Sequence, residues 1–495
     1  MVTDTKNDAS SKLASTLRKM EPSVLAKHLT PAKRSAAHDL DSNSGDKKLK
    51  ARPEPINEYR GWVVPAKNFK IPHVVLDETV TSEIFYQKYI KERRPIVIRG
   101  FLRDLIGLEK WRESNEHLKN RAGNEKVVVE VRSNSKDTFG RGNQTTMSFS
   151  DFLDLVERGD TMHYLTTQDV LADEGGRPDI LAPFMKALQD DFPLCPSLMG
   201  NLIPSNINIW MGNSEDGASS GLHHDYHDNL YIVLRGRKRF RLYSPLDTEK
   251  MYTIGALEKV HPNGRINYQG ERTTPYGADL KSDAAAAAAR ARENAEKMLV
   301  AAEQAVAKGR PGAQEELDRA EELMEIAMDQ VLEAEMSDYE EGLEEDDFEG
   351  ESDDEADDFS DDVKIPDYEN GVVEMPSEKR RLVDKTVKNP NNFSRVGTNF
   401  LDDEAQIQAN FPEFLEARSA FCNVKAGDML YLPASWFHEV TSFGSGKDGH
   451  LAMNYWFHPP DAENCFVKPY STDFWTNDFK QRFPRKKPTK FFKEL

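Results

Sequence analysis

Apolar residues recur with a period of two in some stretches of this chain and near 3.6 in others, and from 276 to 388 the pattern changes character altogether. Short β-branched runs at 95–98, closed by Gly100, and at 127–131 predict strands, as do 207–211 and 429–432. The runs 229–234 and 238–244 flank Arg235-Gly236-Arg237, which reads as a tight hairpin connection. On the second run Lys238, Phe240 and Leu242 share one face, and Arg239, Arg241 and Tyr243 share the other. Helical spacing of Ile84, Phe85 and Ile90 predicts a helix over 81–91 with Thr81 or Ser82 as its N-cap, and 149–155 is a second amphipathic helix. These segments fit an α/β envelope around an all-β core.

The middle of the chain is different. The stretch 283–308 is rich in alanine, a strong helix former, with Asp283 as candidate N-cap. Gly309-Arg310-Pro311-Gly312 breaks it, and Leu317, Ala320, Leu323, Met324, Ala327 and Val331 then mark a second helix. A helical hairpin is expected, followed by an acidic run. The predicted organisation is a disordered tail (1–55), a first part of a globular domain (56–275), a low-complexity insertion (276–388), a second part of the same domain (389–480) and a basic tail (481–495).

Composition agrees with large non-globular parts: of 495 residues 38% are hydrophobic and 30% charged. The net charge of −20 describes a segment, because 335–362 holds 17 acidic residues and no basic one. Cys195, Cys422 and Cys465 have neither disulfide-framework nor zinc-site spacing, which predicts a reducing compartment. The start has no apolar leader and no run reaches membrane-spanning length, so a soluble intracellular protein is expected. Lys33-Arg34 and Lys47-Lys48-Leu49-Lys50 are two basic clusters that read either as a bipartite nuclear import signal or as an ordinary charged tail. The C-terminal Arg485-Lys486-Lys487 is taken as solvated charge; nucleic acid is not an expected partner of so acidic a chain.

Candidate chemistry concentrates in LHHDYHDNLYIVLRGRKRFRLYS, beginning at Leu222, and LYLPASWFHEV, beginning at Leu430. Side chains two apart on an extended chain project to one side, so His223 and Asp225 can reach one ion together while His224 points away. With His438 they make two imidazoles and one carboxylate, the set that holds non-haem iron(II) by one face. A histidine and an aspartate two apart are weak evidence alone. Lys238 adds to it: a lysine on an apolar face either meets an anion or snorkels to water beside the turn. Asn229 keeps the parity of Asp225. The aromatic residues Tyr226, Trp436 and Trp456 have core packing as their default role.

These residues, with GDMLYLPASWFHEV, MNYWF, the Trp210-Met211-Gly212 run and RRPIVIRGFL from Arg93, resemble the cupin-like JmjC hydroxylases among the Fe(II)/2-oxoglutarate oxygenases. The resemblance covers about 62–275 and 389–460. It implies a mainly β fold with surrounding helices, built on a double-stranded β-helix (jelly-roll) core. It further implies iron ligation by His223, Asp225 and His438, and pairing of Lys238 with the distal carboxylate of 2-oxoglutarate. Asn229 and Asn454 match polar residues of the cosubstrate pocket. Ser220 stands where the family often has threonine, and Tyr164 aligns loosely with a tyrosine that shares the same carboxylate. The implied activity is hydroxylation of a protein side chain with iron(II), 2-oxoglutarate and O2. The implied partner is a protein, with a basic one such as a histone or ribosomal protein suggested by the acidic run. The alternatives are a JmjC histone lysine demethylase, a tRNA-modifying oxygenase, a non-catalytic scaffold of the same fold, and another metal cupin. An aspartate in the carboxylate position resembles the hydroxylase group more than the large demethylases.

Overall fold

The computed structural model describes residues 55–484 except 101, 134–137, 140–142, 174–176, 345–389, 445 and 463–464, with the helical backbone alone over 335–344. The N-terminal basic clusters, most of the acidic run and the basic tail lie outside the described residues.

Eight strands, numbered in chain order, make the core: β1 Pro204–Gly212, β2 Ser214–Ser219, β3 Asp228–Arg235, β4 Arg237–Tyr243, β5 Ala420–Lys425, β6 Asp428–Leu432, β7 Phe437–Gly444 and β8 His450–Phe457. One sheet contains β6-β3-β8-β1, the other β5-β4-β7-β2, with antiparallel pairing between these neighbours. Strands adjacent in sequence therefore fall in opposite sheets, β1 with β2, β3 with β4, β5 with β6 and β7 with β8. This is a double-stranded β-helix.

The 235–237 connection is consequently not a hairpin. β3 pairs with β6 and β8, and β4 pairs with β5 and β7. Gly236 turns the corner with φ +72°, and a Cβ there would lie 2.3 Å from the carbonyl oxygen of Phe443. The next corner, Ala426-Gly427, stacks on it through Ala426 N to Gly236 O (3.2 Å) and Gly427 N to Val233 O (2.8 Å). The reason is burial on both faces. Tyr231 and Val233 join Phe240, Leu242, Leu430 and Ala452 between the sheets, while Leu230, Ile232 and Leu234 pack outward on the helical layer. A strand with two apolar faces needs cover on both sides.

Flanking strands extend the larger sheet, with Ile96–Arg99 beside β6 and His163–Leu165 beside β1. Thr81 caps the helix Ser82–Phe85 by accepting from Ile84 N, and Ser148 caps Phe149–Glu157.

The expected helical hairpin is present as Leu280–Ala307 and Ala313–Glu344. Its N-cap is Asp279, which accepts from Ser282 N, and not Asp283, whose carboxylate instead accepts from Tyr276 Oη (2.6 Å). The helix begins four residues earlier than an N-cap at Asp283 would place it. Ala288, Ala295 and Ala302 of the first helix and Ala313, Ala320 and Ala327 of the second are buried, each set at intervals of seven. That is a coiled-coil period with small residues at the seam. Leu323, one of the residues whose spacing marks the second helix, is 37% exposed.

Candidate metal centre

His223 arrives on the loop between β2 and β3, His438 on β7. They are an antiparallel backbone pair, His223 N to His438 O (3.1 Å) and His438 N to His223 O (2.7 Å), so their imidazoles emerge side by side with ring centroids 4.4 Å apart. Asp225 is fixed by its own carbonyl, which accepts from Ser435 N at 2.7 Å. Its carboxylate oxygens lie 4.0 Å from His223 Nε2 and 3.6 Å from His438 Nε2, and one donor atom from each residue falls within 4.8 Å of the others.

The tautomers follow from the neighbours. His223 Nδ1 is 3.1 Å from the carbonyl of Gly221, and His438 Nδ1 is 2.9 Å from that of Trp436. A carbonyl only accepts, so each Nδ1 carries a proton, and in the neutral ring that leaves the Nε2 lone pair on the side of Asp225. Two neutral imidazoles and one carboxylate on one side suit a divalent first-row metal. His224 points the opposite way, as its parity predicts: it is fully buried with Nε2 2.8 Å from Tyr268 Oη.

A cavity of about 220 Å3 opens beside the triad, lined among others by Tyr164, Ser220, Asn229, Trp210, Phe393 and Ser442. Lys238 is buried at its side, 0% exposed, with Nζ donating to Ser442 Oγ (2.6 Å) and 3.4 Å from His450 Nδ1. It does not snorkel. Among the described residues no carboxylate lies within ion-pairing distance, and burial pulls the ammonium down to about 7. Tyr164 places its ring 5.6 Å from that ammonium. A buried, unneutralised cation beside a three-donor cluster fits a ligand that chelates a metal at one end and ends in an anion at the other.

Asn454 does not line the cavity. It stands behind, accepting from Trp210 Nε1 (2.8 Å) and donating to Asn229 Oδ1 (3.2 Å), so it orients two residues that do. Ser220 spends its hydroxyl on backbone, donating to Gly221 O and accepting from Val440 N. Trp456 lines the cavity, whereas Trp436 is core, stacked on Trp62, and Tyr226 donates to Glu271.

Sequence reasoning missed Ser442, although it keeps the parity of His438 and sits directly across from Lys238. It also missed Phe393, whose ring stacks on His223 at 4.8 Å. A third omission is Asp228, fully buried, which accepts from both terminal nitrogens of Arg93, from Tyr431 Oη (2.7 Å) and from Ala434 N (3.0 Å). It ties the segment bearing Asp225 to the segment leading to His438.

A double-stranded β-helix with two histidines and a carboxylate gathered at a cavity defines the metal-binding cupin class. Comparison with known proteins gives the particular branch. Residues 81–463 match the cupin-like domain family, and this chain belongs to the cupin-like JmjC proteins. It is 33% identical over 440 residues to "JmjC domain-containing protein 4" of Schizosaccharomyces pombe, covering 84% of this chain and 90% of that one. It is 28% identical over 203 residues to the human "Bifunctional peptidase and (3S)-lysyl hydroxylase JMJD7", across 39% of this chain and 61% of that protein. "Lysine-specific demethylase 8" of Xenopus tropicalis is 26% identical over 248 residues, 47% of this chain and 52% of its own length.

Proposed function

We propose that this chain is an Fe(II)/2-oxoglutarate-dependent dioxygenase that hydroxylates a protein side chain. The observation that carries the reading is the pairing of His223, Asp225 and His438 with a buried Lys238 that has no carboxylate partner among the described residues. His223 and His438 would hold iron through Nε2 and Asp225 through a carboxylate oxygen. Lys238, supported by Ser442 and Tyr164, would receive the distal carboxylate of 2-oxoglutarate, and Asn229, set by Asn454, would line its path. Iron and cosubstrate supply the oxygen-activating chemistry when bound, with decarboxylation to succinate. The protein's own part is donor geometry, a cation for the cosubstrate, and aromatic walls at Trp210, Phe393 and Trp456 that keep water from the reacting centre.

A protein side chain is supported as substrate by relatives named as a lysyl hydroxylase and a lysine-specific demethylase. The helical hairpin is an arm on the domain, and its second helix offers a surface for a basic region of such a protein: Glu321, Glu322, Glu325, Asp329 and Glu333 are exposed. The test is turnover of candidate proteins with iron(II), 2-oxoglutarate and O2, read by mass spectrometry. Gain of one oxygen supports hydroxylation, and loss of a methyl group replaces it with demethylation. Absence of iron(II) binding by the native chain, or succinate release that survives His438→Ala, overturns the reading.

A further inference from the structure

Trp456 walls the metal cavity, and stacked on its ring at 5.9 Å and 23° is His227, which belongs to a second cleft of about 1040 Å3. One side of this cleft is the first arm helix, contributing Ala286, Ala289 and Arg290. The other is the C-terminal helix Phe474–Arg482, contributing Trp475 and Lys480. The loop that delivers Asp225 to the metal cavity thus delivers His227 to the cleft two residues later.

The inner wall carries an unmet polar group. His458 is 6% exposed, lies flat on Trp475 at 3.4 Å, and its Nδ1 is buried with no hydrogen-bond partner among the described residues. Burying such a group unpaired is costly, so a ligand that meets it gains what the free protein lacks.

The charges sort the ligand by sign. All three carboxylates of the cleft are engaged: Asp279 accepts from Ser282 N (2.9 Å), Glu293 binds Lys297 (2.5 Å), and Asp478 is shared by Arg177 (3.4 Å) and Arg482 (2.6 Å). Arg290 and Lys480 line the same space with no acidic partner among the described residues. Two cations without acidic partners among the described residues, one on each wall of a cleft, stand out on a chain of net charge −20.

We propose that this cleft binds an extended, acidic segment of the protein substrate, whose carboxylates meet Arg290 and Lys480 while a nearby residue enters the metal cavity past Trp456. Only the last clause rests on the oxygenase reading. On this view the arm is a wall of the substrate site, and its two helices take opposite charges of one partner.

The experiment is fluorescence anisotropy of the full chain with a fluorescein-labelled ten-residue peptide alternating glutamate and serine. Its lysine–serine counterpart and a single-stranded oligonucleotide serve as comparisons. The glutamate peptide should bind, and Arg290→Glu with Lys480→Glu should weaken it at least tenfold, whereas Arg290→Lys should keep it. Asp225→Asn should bind the peptide as the native chain does, so loss of the metal-site reading leaves this one measurable. Equal binding by the native and doubly reversed chains overturns the proposal, as does tighter binding of the lysine peptide or the oligonucleotide.

Discussion

Lys238 is the residue on which stability and activity pull apart. Its ammonium is buried beside Ser442 and His450, and its pKa falls from 10.5 to about 7 because nothing anionic compensates desolvation. Between those two values the unfolded chain holds a proton that the folded chain lacks, so this group makes stability rise with pH across that window. Below about pH 7 its cost is fully present. Lys238→Met should therefore stabilise the cosubstrate-free chain by about 1–4 kcal/mol near and below pH 7, with the gain shrinking toward pH 10.5. Calorimetric melts across pH check this. The same substitution should abolish 2-oxoglutarate affinity, and Lys238→Ala should cost about 2–5 kcal/mol of cosubstrate binding while leaving iron(II) binding intact. In the native chain the affinity should fall as pH rises through 7, with proton uptake on binding that titrations in buffers of different ionisation enthalpy would reveal. An affinity flat from pH 6 to 9 would remove Lys238 from the site. At this scale the sequence was a good guide where parity decides: His223, Asp225, Lys238 and Asn229 face as alternation predicts. Phe393 and the contact of Arg93 with Asp228 were invisible, since each comes from a segment far away along the chain.

At the scale of elements, strand positions were legible and their partners were not. Local alternation tells that 229–234 and 238–244 are extended, but a connection of one glycine serves a hairpin or a corner between sheets equally well. The two-sided apolar character of β3, all eight of whose residues are buried, was the available sign. Gly236→Ala should cost about 1–3 kcal/mol, because φ is +72° and the added carbon meets the Phe443 carbonyl. The loss should appear as a lower melting temperature together with a raised 2-oxoglutarate KM, since Lys238 is two residues on. The arm makes a contrasting prediction. Its seam is internal to the hairpin, and Asp279 and Asp283 anchor its base, so excision should begin after Asp283. Replacing 287–388 with a short Gly/Ser linker should leave melting within a few degrees and iron(II) binding unchanged, loop length costing only about 0.6 kcal/mol per doubling. Binding of the glutamate peptide should vanish. An insoluble product would place the arm in the core.

For the whole molecule, composition separated the acidic run from the body, and the family's motifs gave the architecture that periodicity alone did not. Among the described residues no helix is long and apolar enough to cross a membrane. The address remains a proposal carried by Lys33-Arg34 and Lys47–Lys50: alanine at Lys47, Lys48 and Lys50 should shift a fluorescent fusion from nucleus to cytoplasm, and an unchanged distribution would reduce the clusters to solvated charge. The interleaving of the two sheets has a consequence for biosynthesis. β3 takes both its hydrogen-bonded neighbours, β6 and β8, from the last hundred residues, and His438 follows Asp225 by some two hundred. At about 5–20 residues per second, ribosomes leave that strand without either partner for on the order of ten to forty seconds. Through that interval a strand that ends fully buried emerges without its cover, together with half of the candidate metal site.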